Sequence, residues 1–232
     1  MKTAYVNSVR FARKIAERSG LLARLERSES RNVRWARSLF GIYDSADLVQ
    51  LDMPWWTFAA IDAVEAFLSS RNGLAQVYEF GAGASTVWLA KRCGSVYSVE
   101  HDAPFARAMS SMFEAYSNIS VLVVEPTAAS PSSRARSNRK GYKESAFDRY
   151  VSSIDRVDGS FDLIVIDGRA RISCLAKSID RLAPGGVILF DNSDRREYRD
   201  AIDTCGLQER VTRGLAPALP FPSQTSLLTR RN

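Results

Sequence analysis

The hydrophobic pattern of this chain alternates between short apolar runs and segments whose apolar residues recur every three or four positions. The first kind predicts buried strands, and the second predicts helices packed on them. The predicted strands are residues 75–80, 95–99, 119–124, 161–166 and 187–190. The predicted helices are residues 57–70, 85–93, 103–117, 145–157 and 172–183. Apolar strands that alternate with helices favour an α/β fold with a parallel sheet covered on both faces.

Both ends of the chain depart from this alternation. The pattern of residues 3–45 predicts a helical region ahead of the first strand. At the other end, residues 208–213 and 224–229 predict two more strands, joined by the proline-rich segment 214–223. Because the chain contains no internal repeat, we expect all seven strands in one domain.

A glycine turn, formed by Gly81 and Gly83, directly follows the first predicted strand. Glycine allows a tight turn and lets a ligand approach the backbone, because it has no Cβ atom. The helix after the turn would point its unpaired N–H groups and its positive dipole end at that ligand. Glu100 ends the second strand, and an acid about 20 residues beyond the turn is typical of a ribose-binding residue. These features together predict a site for a nucleoside cofactor.

The residues around the turn distinguish between nucleoside cofactors. A dinucleotide fingerprint has a third glycine where this chain has Thr86, and Glu79 places a negative charge beside the turn. A carboxylate in this position suits a cationic ammonium better than a pyrophosphate. The segment Glu79-Phe80-Gly81-Ala82-Gly83 resembles motif I of the class I S-adenosylmethionine-dependent methyltransferases.

This resemblance carries expectations about fold, cofactor and domain organisation. It implies a Rossmann-like, mostly parallel seven-stranded sheet whose last two strands form an antiparallel hairpin. It also implies S-adenosylmethionine as the cofactor of a methyltransferase domain, residues 57–232, that follows an N-terminal helical extension, residues 1–56. The expected cofactor-binding residues are Glu79, Gly81, Ala82, Gly83, Ser85, Thr86, Glu100, His101, Glu125 and Asp167.

Acidic residues follow the carboxyl ends of the predicted strands, where ligands bind in such sheets. Asp167 comes after the fourth strand, and Asp191 and Asn192 come after the fifth. If these strands are neighbours about 4.8 Å apart, the three side chains converge on one point. Their oxygen atoms are the ligands that Mg²⁺ prefers. The triplet resembles the metal site of the catechol and caffeoyl-CoA type O-methyltransferases, which implies Asp167, Asp191 and Asn192 as Mg²⁺ ligands.

The loop after Asp167 departs from that resemblance. Those enzymes place a lysine base there, whereas this chain has Arg169 and Arg171, which cannot be deprotonated at useful pH. Both arginines could instead hold an anionic substrate, since a guanidinium clamps a carboxylate or phosphate with two parallel bonds. Two alternatives to a metal site stay open: a metal-free site that uses the same Asp167, and acids that cap turns and pair with the arginines. We predict Asp167, Arg169 and Asp191 as catalytic residues. Asp167 is the candidate proton acceptor; His101 is the alternative, although its place after Glu100 favours an adenine-side contact or a loop residue.

Composition narrows the class of protein. The chain has 232 residues, a net charge of +6, one histidine, and three cysteines without a CxxC pair. This pattern favours neither a disulfide framework nor a structural zinc site. The chain contains no run of about 18 apolar residues and no apolar signal segment at its start, so we expect a cytoplasmic protein. Nucleic acid is disfavoured as a substrate, because the Asn/Asp-Pro-Pro-aromatic segment of amino-methylating enzymes does not follow the fourth strand.

Two basic segments carry much of the positive charge. The first mixes cationic and apolar side chains at helical spacing: Arg10, Arg13, Lys14, Arg18, Arg24 and Arg27 with Phe11, Ile15, Leu22 and Leu25. We interpret it as the solvated face of a helix packed on the domain, with contact to an acidic membrane surface as the alternative. The second, residues 130–143, lacks periodicity and is interpreted as a mobile loop that binds phosphate or covers the active site.

The sequence as a whole predicts an S-adenosylmethionine-dependent methyltransferase that modifies a hydroxyl of a small molecule or glycan, with Mg²⁺ as a candidate second cofactor. A nucleic-acid methyltransferase and a non-catalytic cofactor-binding module at a membrane surface are the alternatives. Trp55 and Trp56 are interpreted as core packing, with a platform for a substrate ring as the alternative.

Overall fold

The computed structural model describes residues 2–28, 30–41 and 44–231, which form a central sheet covered by helices. The helices are α1 (Lys2–Arg18), α2 (Leu21–Glu26), α3 (Arg31–Ser38), α4 (Ser45–Gln50), α5 (Phe58–Ser70), α6 (Ala84–Ala90), α7 (Ala103–Glu114), α8 (Asp148–Val151), α9 (Arg171–Ile179) and α10 (Arg196–Thr204). The strands are β1 (Gln76–Phe80), β2 (Ser95–Glu100), β3 (Ile119–Val123), β4 (Thr127–Ala128), β5 (Ser145–Ala146), β6 (Phe161–Ile166), β7 (Leu182–Asp191), β8 (Gln208–Gly214) and β9 (Ser223–Thr229).

The central sheet has seven strands in the order β3-β2-β1-β6-β7-β9-β8. The first five of these are parallel, and β9 pairs antiparallel with both β7 and β8. This arrangement confirms the predicted Rossmann-like sheet and its antiparallel C-terminal hairpin. The chain runs outward from β1 to β3 and then returns to β6 on the other side of β1. The carboxyl ends of β1 and β6 therefore flank the topological switch point, where ligands bind in open α/β sheets.

The two faces of the sheet are both apolar, which explains why helices cover both of them. Side chains alternate between the faces of a strand. Tyr78, Phe80 and Ile164 belong to the buried cluster on one face, and Val77 and Leu163 belong to the cluster on the other. Strands buried on both faces form the rigid layer from whose edge the candidate site residues extend.

The structure differs from the predicted elements around β7. The predicted helix 172–183 ends at Ile179, and β7 begins at Leu182, so Pro184, Gly185 and Gly186 lie inside a strand rather than at a helix stop. The pairing between β6 and β7 shifts register in this stretch. Such an irregularity is where a strand accommodates proline and glycine.

Three further elements differ from the sequence prediction. The predicted helix 145–157 divides into α8 and a 3-10 turn, Ser152–Arg156, and its first residues form β5. The two-stranded sheet of β4 and β5 was not predicted, because two-residue strands carry no periodicity. Helix α10 was also missed, although Tyr198, Ala201 and Ile202 follow helical spacing and pack on the core.

The N-terminal helices are attached to the sheet domain through buried polar contacts. Arg37 of α3 is buried and donates two hydrogen bonds of 2.9 Å to the Asp47 carboxylate of α4. Trp35 Nε1 donates to the Leu219 carbonyl oxygen at 2.9 Å. The Arg37–Asp47 pair joins α3 to α4 within the extension. The Trp35 contact, together with a 2.9 Å hydrogen bond from the Ala218 N–H to Ser38 Oγ, attaches the extension to the domain. None of the helices in the described part of the chain is long and apolar enough to cross a membrane.

Helix α4 packs beside the glycine turn. Leu48 is fully buried in a cluster with Met53 and with Ala84, the first residue of α6. Val49 packs against Ala82 in the turn itself. The extension predicted as residues 1–56 therefore supplies part of the wall around the candidate cofactor site.

Candidate active site

The glycine turn after β1 contains two glycines with different surroundings. Gly81 has a φ of +104°, and a Cβ atom there would lie 2.7 Å from the Cα atom of Gly168. Because Gly81 has no side chain, the turn packs directly against the loop after β6. A Cβ atom on Gly83 would meet no described heavy atom within 4 Å. Gly83 thus borders open space at the switch point, where a cofactor is expected.

Glu79 lies beneath the turn and is fully buried. Its carboxylate accepts hydrogen bonds from the hydroxyls of Ser85 and Thr86 at 2.5 Å and of Ser98 at 2.7 Å. Thr86 Oγ1 also accepts a hydrogen bond from Gly83 N at 2.9 Å. Glu79 therefore connects β1, β2 and the first turn of α6, and its carboxylate maintains the shape of the turn. Its direct contact with a cofactor stays a prediction.

The ionisation of Glu79 is expected to make stability depend on pH. Burial raises the pKa of Glu79 from 4.5 to about 7, and the charge of Asp167 acts in the same direction against the three hydroxyls. Because the folded-state pKa exceeds the unfolded value, the folded protein binds this proton first as pH falls. The free energy of unfolding should therefore increase as pH falls from about 7 to about 4.5.

Glu79→Gln cannot ionise and should lack this contribution. The difference in free energy of unfolding between the wild type and this variant should change by about 3 kcal/mol across the same pH window. Urea denaturation at a series of pH values measures it. A difference that stays constant with pH would contradict a buried, titrating Glu79.

Glu100 ends β2 on the neighbouring side of the turn. Its Oε1 atom accepts hydrogen bonds from the N–H groups of His101 and Asp102, both at 2.8 Å. Within the described ranges its Oε2 atom accepts no hydrogen bond, so this oxygen is available to a ribose hydroxyl. The position agrees with the predicted ribose-binding role.

His101 is buried in an aromatic cluster beside Glu100. Its ring lies edge-on to Tyr142 and tilted against Phe147, with centroids 5.2 Å and 5.9 Å away. His101 Nδ1 lies 2.6 Å from Glu100 Oε1 but outside hydrogen-bond geometry, so neither ring nitrogen has a hydrogen-bond partner among the described residues. His101 therefore packs between Glu100 and the aromatic rings of Tyr142 and Phe147.

Two other predicted cofactor residues differ in their placement. Ala82 is buried in a cluster with Val87 and Met109, where it packs the turn against α6 and α7. Glu125, which follows β3, is exposed and makes no hydrogen bond or ion pair within the described part of the chain. Its role in cofactor binding stays a prediction.

Arg171 lies between the two acids that were predicted to bind a metal. Its guanidinium is buried at the start of α9. Nη2 donates to Asp167 Oδ1 and to the Asp167 carbonyl oxygen, both at 2.7 Å. Nη1 donates to the Asp191 carbonyl oxygen and lies 3.9 Å from Asp191 Oδ2, and Nε donates to the Gly168 carbonyl oxygen at 3.2 Å. One cation thus joins the carboxyl ends of β6 and β7.

The predicted metal ligands do not fit a divalent cation in this arrangement. Asp191 Oδ1 accepts a hydrogen bond from Thr225 Oγ1 at 2.8 Å, and Asn192 Oδ1 accepts one from Arg195 Nη2 at 2.5 Å. Mg²⁺ requires oxygen ligands at about 2.1 Å in octahedral geometry, whereas these oxygens face protein donors and a buried guanidinium. Across residues 2–28, 30–41 and 44–231, no group of three or more His, Cys, Asp or Glu side chains could hold a metal ion.

Arg171 pairs with the acids, which is one part of the turn-capping alternative; a purely structural role for Asp167 and Asp191 stays a prediction. The prediction that Arg171 holds a substrate is wrong, because its guanidinium is buried and committed to β6 and β7. Burial raises the pKa of Asp191, the charge of Asp167 adds to this, and Arg171 opposes both. Asp167 retains 22% exposure of its side chain and lies beside the glycine turn. Asp167 is therefore the member of the pair that a substrate can reach.

Arg169 is a cation without an acidic partner. It forms no ion pair with any described residue, and its Nη1 makes only a 3.4 Å hydrogen bond to the Gly168 carbonyl oxygen. Its guanidinium carbon lies 5.4 Å from the centroid of the Tyr142 ring. Burial lowers the pKa of Arg169, and the charges of Arg139 and Arg171 act in the same direction. An anion bound beside Arg169 would relieve this concentration of positive charge.

The basic loop, residues 130–143, is folded against the site. Ala135 is buried, and its N–H donates to Asp148 Oδ1 at 3.2 Å. At the end of the loop, Tyr142 contacts the ring of His101. The loop therefore packs against His101 beside the candidate site, as the interpretation as a lid requires. Its mobility and its binding of phosphate stay predictions.

Sequence reasoning missed several residues that shape the site. Ser98 holds Glu79, and the available signal was a polar residue inside an otherwise apolar strand. Thr225 holds Asp191 from β9, a contact between distant parts of the chain that carries no local signal. Trp56 is fully buried edge-on to Trp88, with ring centroids 5.8 Å apart, which confirms its interpretation as core packing.

The sheet topology and the glycine turn define the class of protein as an α/β domain with a nucleoside-cofactor site at its switch point. A family model described as a methyltransferase domain matches residues 78–193, which is half of the chain. The chain therefore belongs to this methyltransferase family, and the prediction of a class I S-adenosylmethionine-dependent methyltransferase is confirmed.

Solved structures share the fold. A putative O-methyltransferase from Klebsiella pneumoniae has a TM-score of 0.57 and 16% sequence identity, over 86% of this chain and 90% of that chain. An O-methyltransferase from Bacillus cereus, in complex with SAH, has a TM-score of 0.56 and 15% identity, over 80% of this chain and 90% of that chain. At these identities the likeness concerns the fold alone. No curated protein matches the chain by sequence.

Proposed function

We propose that this methyltransferase transfers a methyl group to a hydroxyl oxygen of a small molecule or glycan that carries a negative charge. The observation that supports it most is the placement of Asp167. This partly exposed carboxylate lies beside the glycine turn, is held by Arg171, and precedes the unpaired Arg169 by two residues.

The residues around Gly83 suit S-adenosylmethionine. The open space at Gly83, the N-terminal amides of α6 and Glu100 Oε2 would hold the nucleoside part and the amino acid part. Glu79 keeps the turn in place from below. When bound, the cofactor supplies an electrophilic methyl group on a sulfonium sulfur.

Asp167 is our candidate for the proton acceptor. A neutral hydroxyl is a poor nucleophile, so a carboxylate within hydrogen-bond distance would take its proton as the new C–O bond forms. The 2.7 Å bond from Arg171 Nη2 fixes the orientation of the carboxylate. His101 is a poorer candidate, because its ring is buried against Tyr142 and Phe147. Most of the rate would come from holding the two reactants close and aligned.

The arrangement of cations supports an acidic acceptor. The guanidinium of Arg171 already contacts Asp167 and Asp191. Arg195 donates a hydrogen bond to Asn192, and its guanidinium carbon lies 5.9 Å from the centroid of the Tyr198 ring. Arg169 remains as the cation that could bind a carboxylate or phosphate of the acceptor with two parallel bonds. Tyr142, which packs against its guanidinium, would form a flat wall for a ring or sugar.

Methyl transfer from labelled S-adenosylmethionine to a panel of acceptors tests the proposal. The panel contains phenols and sugars with a carboxylate or phosphate, their neutral counterparts, and RNA. We expect label on oxygen in the acidic acceptors, at equal rates in EDTA and in Mg²⁺. Transfer to RNA alone, or to nitrogen alone, would contradict the proposal.

Arg169→Ala is expected to raise KM for an acidic acceptor by about tenfold, which is about 1.4 kcal/mol of lost binding, with kcat changed much less. The reason is the loss of a charge-assisted contact made equally in the ground state and the transition state. Arg107→Ala, which removes an exposed arginine on α7, is the matched control. An unchanged KM in the Arg169 variant would exclude the anion contact without excluding methyl transfer.

A further inference from the structure

We propose that helix α1 docks this protein on an anionic membrane surface. Its inner side contacts the protein through Arg13 and the small, buried Ala16, and its outer side carries large apolar and cationic side chains. Arg13 donates to Asp44 Oδ2 at 2.9 Å and to Asp47 Oδ1 at 2.8 Å, so the inner face is held by ion pairs. Phe11 and Ile15, by contrast, are 67% and 54% exposed.

This orientation corrects the sequence interpretation of the N-terminal basic segment. Phe11 and Ile15 were expected on the face that packs against the domain, yet they face away from it. Leu22 of α2 is buried as expected. The side chain of Arg10, part of the same predicted segment, lies outside the described residues. A helix that packs through an arginine and a small alanine leaves its large apolar side chains, Phe11 and Ile15, for another surface.

The outer face of α1 is a stripe of alternating apolar and cationic side chains. Phe11, Lys14, Ile15 and Arg18 occupy positions i, i+3, i+4 and i+7, which lie on one side of a helix. All four are exposed, and neither Lys14 nor Arg18 forms an ion pair with a described residue. Residues 1–28 contain seven basic and two acidic side chains, so most of the net charge of +6 is concentrated here.

An anionic bilayer fits this stripe better than a protein partner does. Two apolar side chains cover far less than the roughly 800 Å² per partner of a stable protein interface. A helix lying in the headgroup region needs only shallow insertion of such a stripe, while Lys14 and Arg18 reach toward lipid phosphates. Because Arg13 connects α1 to α4, and α4 packs beside the glycine turn, docking would hold the cleft at a fixed position relative to the membrane.

Co-sedimentation of the full chain with vesicles tests this inference. The vesicles contain phosphatidylcholine alone or phosphatidylcholine mixed with phosphatidylglycerol. We expect sedimentation with the anionic vesicles only, and a decrease with added salt. The double variants Phe11→Ser/Ile15→Ser and Lys14→Gln/Arg18→Gln should each lower the partition coefficient by about tenfold.

Matched controls distinguish binding through this surface from nonspecific adsorption to vesicles and from unfolding of the variants. Leu74→Ser removes an apolar side chain that is 78% exposed in the loop between α5 and β1, and Arg107→Gln removes an exposed charge on α7. Both controls should bind like the wild type, and all variants should keep the wild-type Tm. Absence of binding to anionic vesicles, or equal binding by all variants, would overturn the inference. So would a wild-type dimer that the Phe11/Ile15 variant dissociates, since it would assign the stripe to a second copy of the chain.

Discussion

Replacing Arg171 by alanine is expected to lower the free energy of unfolding by about 3–5 kcal/mol. The buried guanidinium of the wild type is the counter-ion of Asp167 and lies 3.9 Å from the Asp191 carboxylate. Its removal leaves two close carboxylates without a counter-ion, and the carbonyl oxygens of Asp167, Gly168 and Asp191 without this donor. Urea denaturation of the two proteins at neutral pH measures the difference.

A matched control lies on the same helix. Lys177 is partly exposed and pairs with Asp155 at 2.7 Å, and an exposed pair of this kind contributes about 1 kcal/mol or less. Lys177→Ala should therefore stay close to the wild type. An equal loss of unfolding free energy in both variants would mean that the buried contacts of Arg171 stabilise the fold no more than an exposed ion pair does.

The Arg171→Ala variant also tests whether this arginine takes the place of a metal ion. Without the guanidinium, Asp167 and Asp191 present oxygen ligands that lack a cation, so millimolar Mg²⁺ should raise the Tm of the variant. The wild-type Tm should be the same in Mg²⁺ and in EDTA. A wild-type Tm that rises with Mg²⁺ would contradict the assignment and restore the metal site expected from the sequence.

Gly83→Ala is expected to weaken binding of S-adenosylhomocysteine by about 100-fold, with a change in stability within about 0.5 kcal/mol. The added methyl group enters the open space at the switch point, where the cofactor is expected. The backbone tolerates alanine there, because φ is 176°. Calorimetric titration measures the affinity, and thermal unfolding of the free protein measures the stability.

Gly81 provides a control in which stability, rather than cofactor binding, is expected to change. Gly81→Ala places a Cβ atom 2.7 Å from the Gly168 backbone at a φ of +104°, so it should lower the free energy of unfolding by about 2 kcal/mol or more. If Gly83→Ala binds S-adenosylhomocysteine like the wild type, the cofactor lies elsewhere. If Gly81→Ala has wild-type stability, the turn after β1 does not pack against the loop after β6 as closely as described.

The parts of the fold that follow from local pattern could be predicted from the sequence. β1, β2 and β6 are apolar runs bounded by turn residues, and their alternation with helices predicts a parallel sheet, although it does not fix the order of the strands. The meeting of Asp167 and Asp191 near the same point follows from strand adjacency. The carboxyl ends of the five predicted parallel strands agree with the structure to within one residue, whereas β7 begins five residues before the predicted start.

Features that depend on side-chain direction could not be predicted in this way. The loop after Asp167 carries two arginines, and only the three-dimensional packing shows that Arg171 pairs with the strand-end acids and Arg169 does not. Helix α1 has clear periodicity, but Asp44 and Asp47 draw Arg13 inward and leave Phe11 exposed. In both cases a partly buried ion pair decides the orientation of the arginine, and its acidic partners lie on another element of the fold.

Isothermal titration calorimetry of the wild-type protein with S-adenosylhomocysteine and with NAD tests the assignment of the glycine turn most directly. We predict that S-adenosylhomocysteine binds with the same affinity in Mg²⁺ and in EDTA, and that NAD does not bind. Binding of NAD, or no heat with S-adenosylhomocysteine, would contradict it.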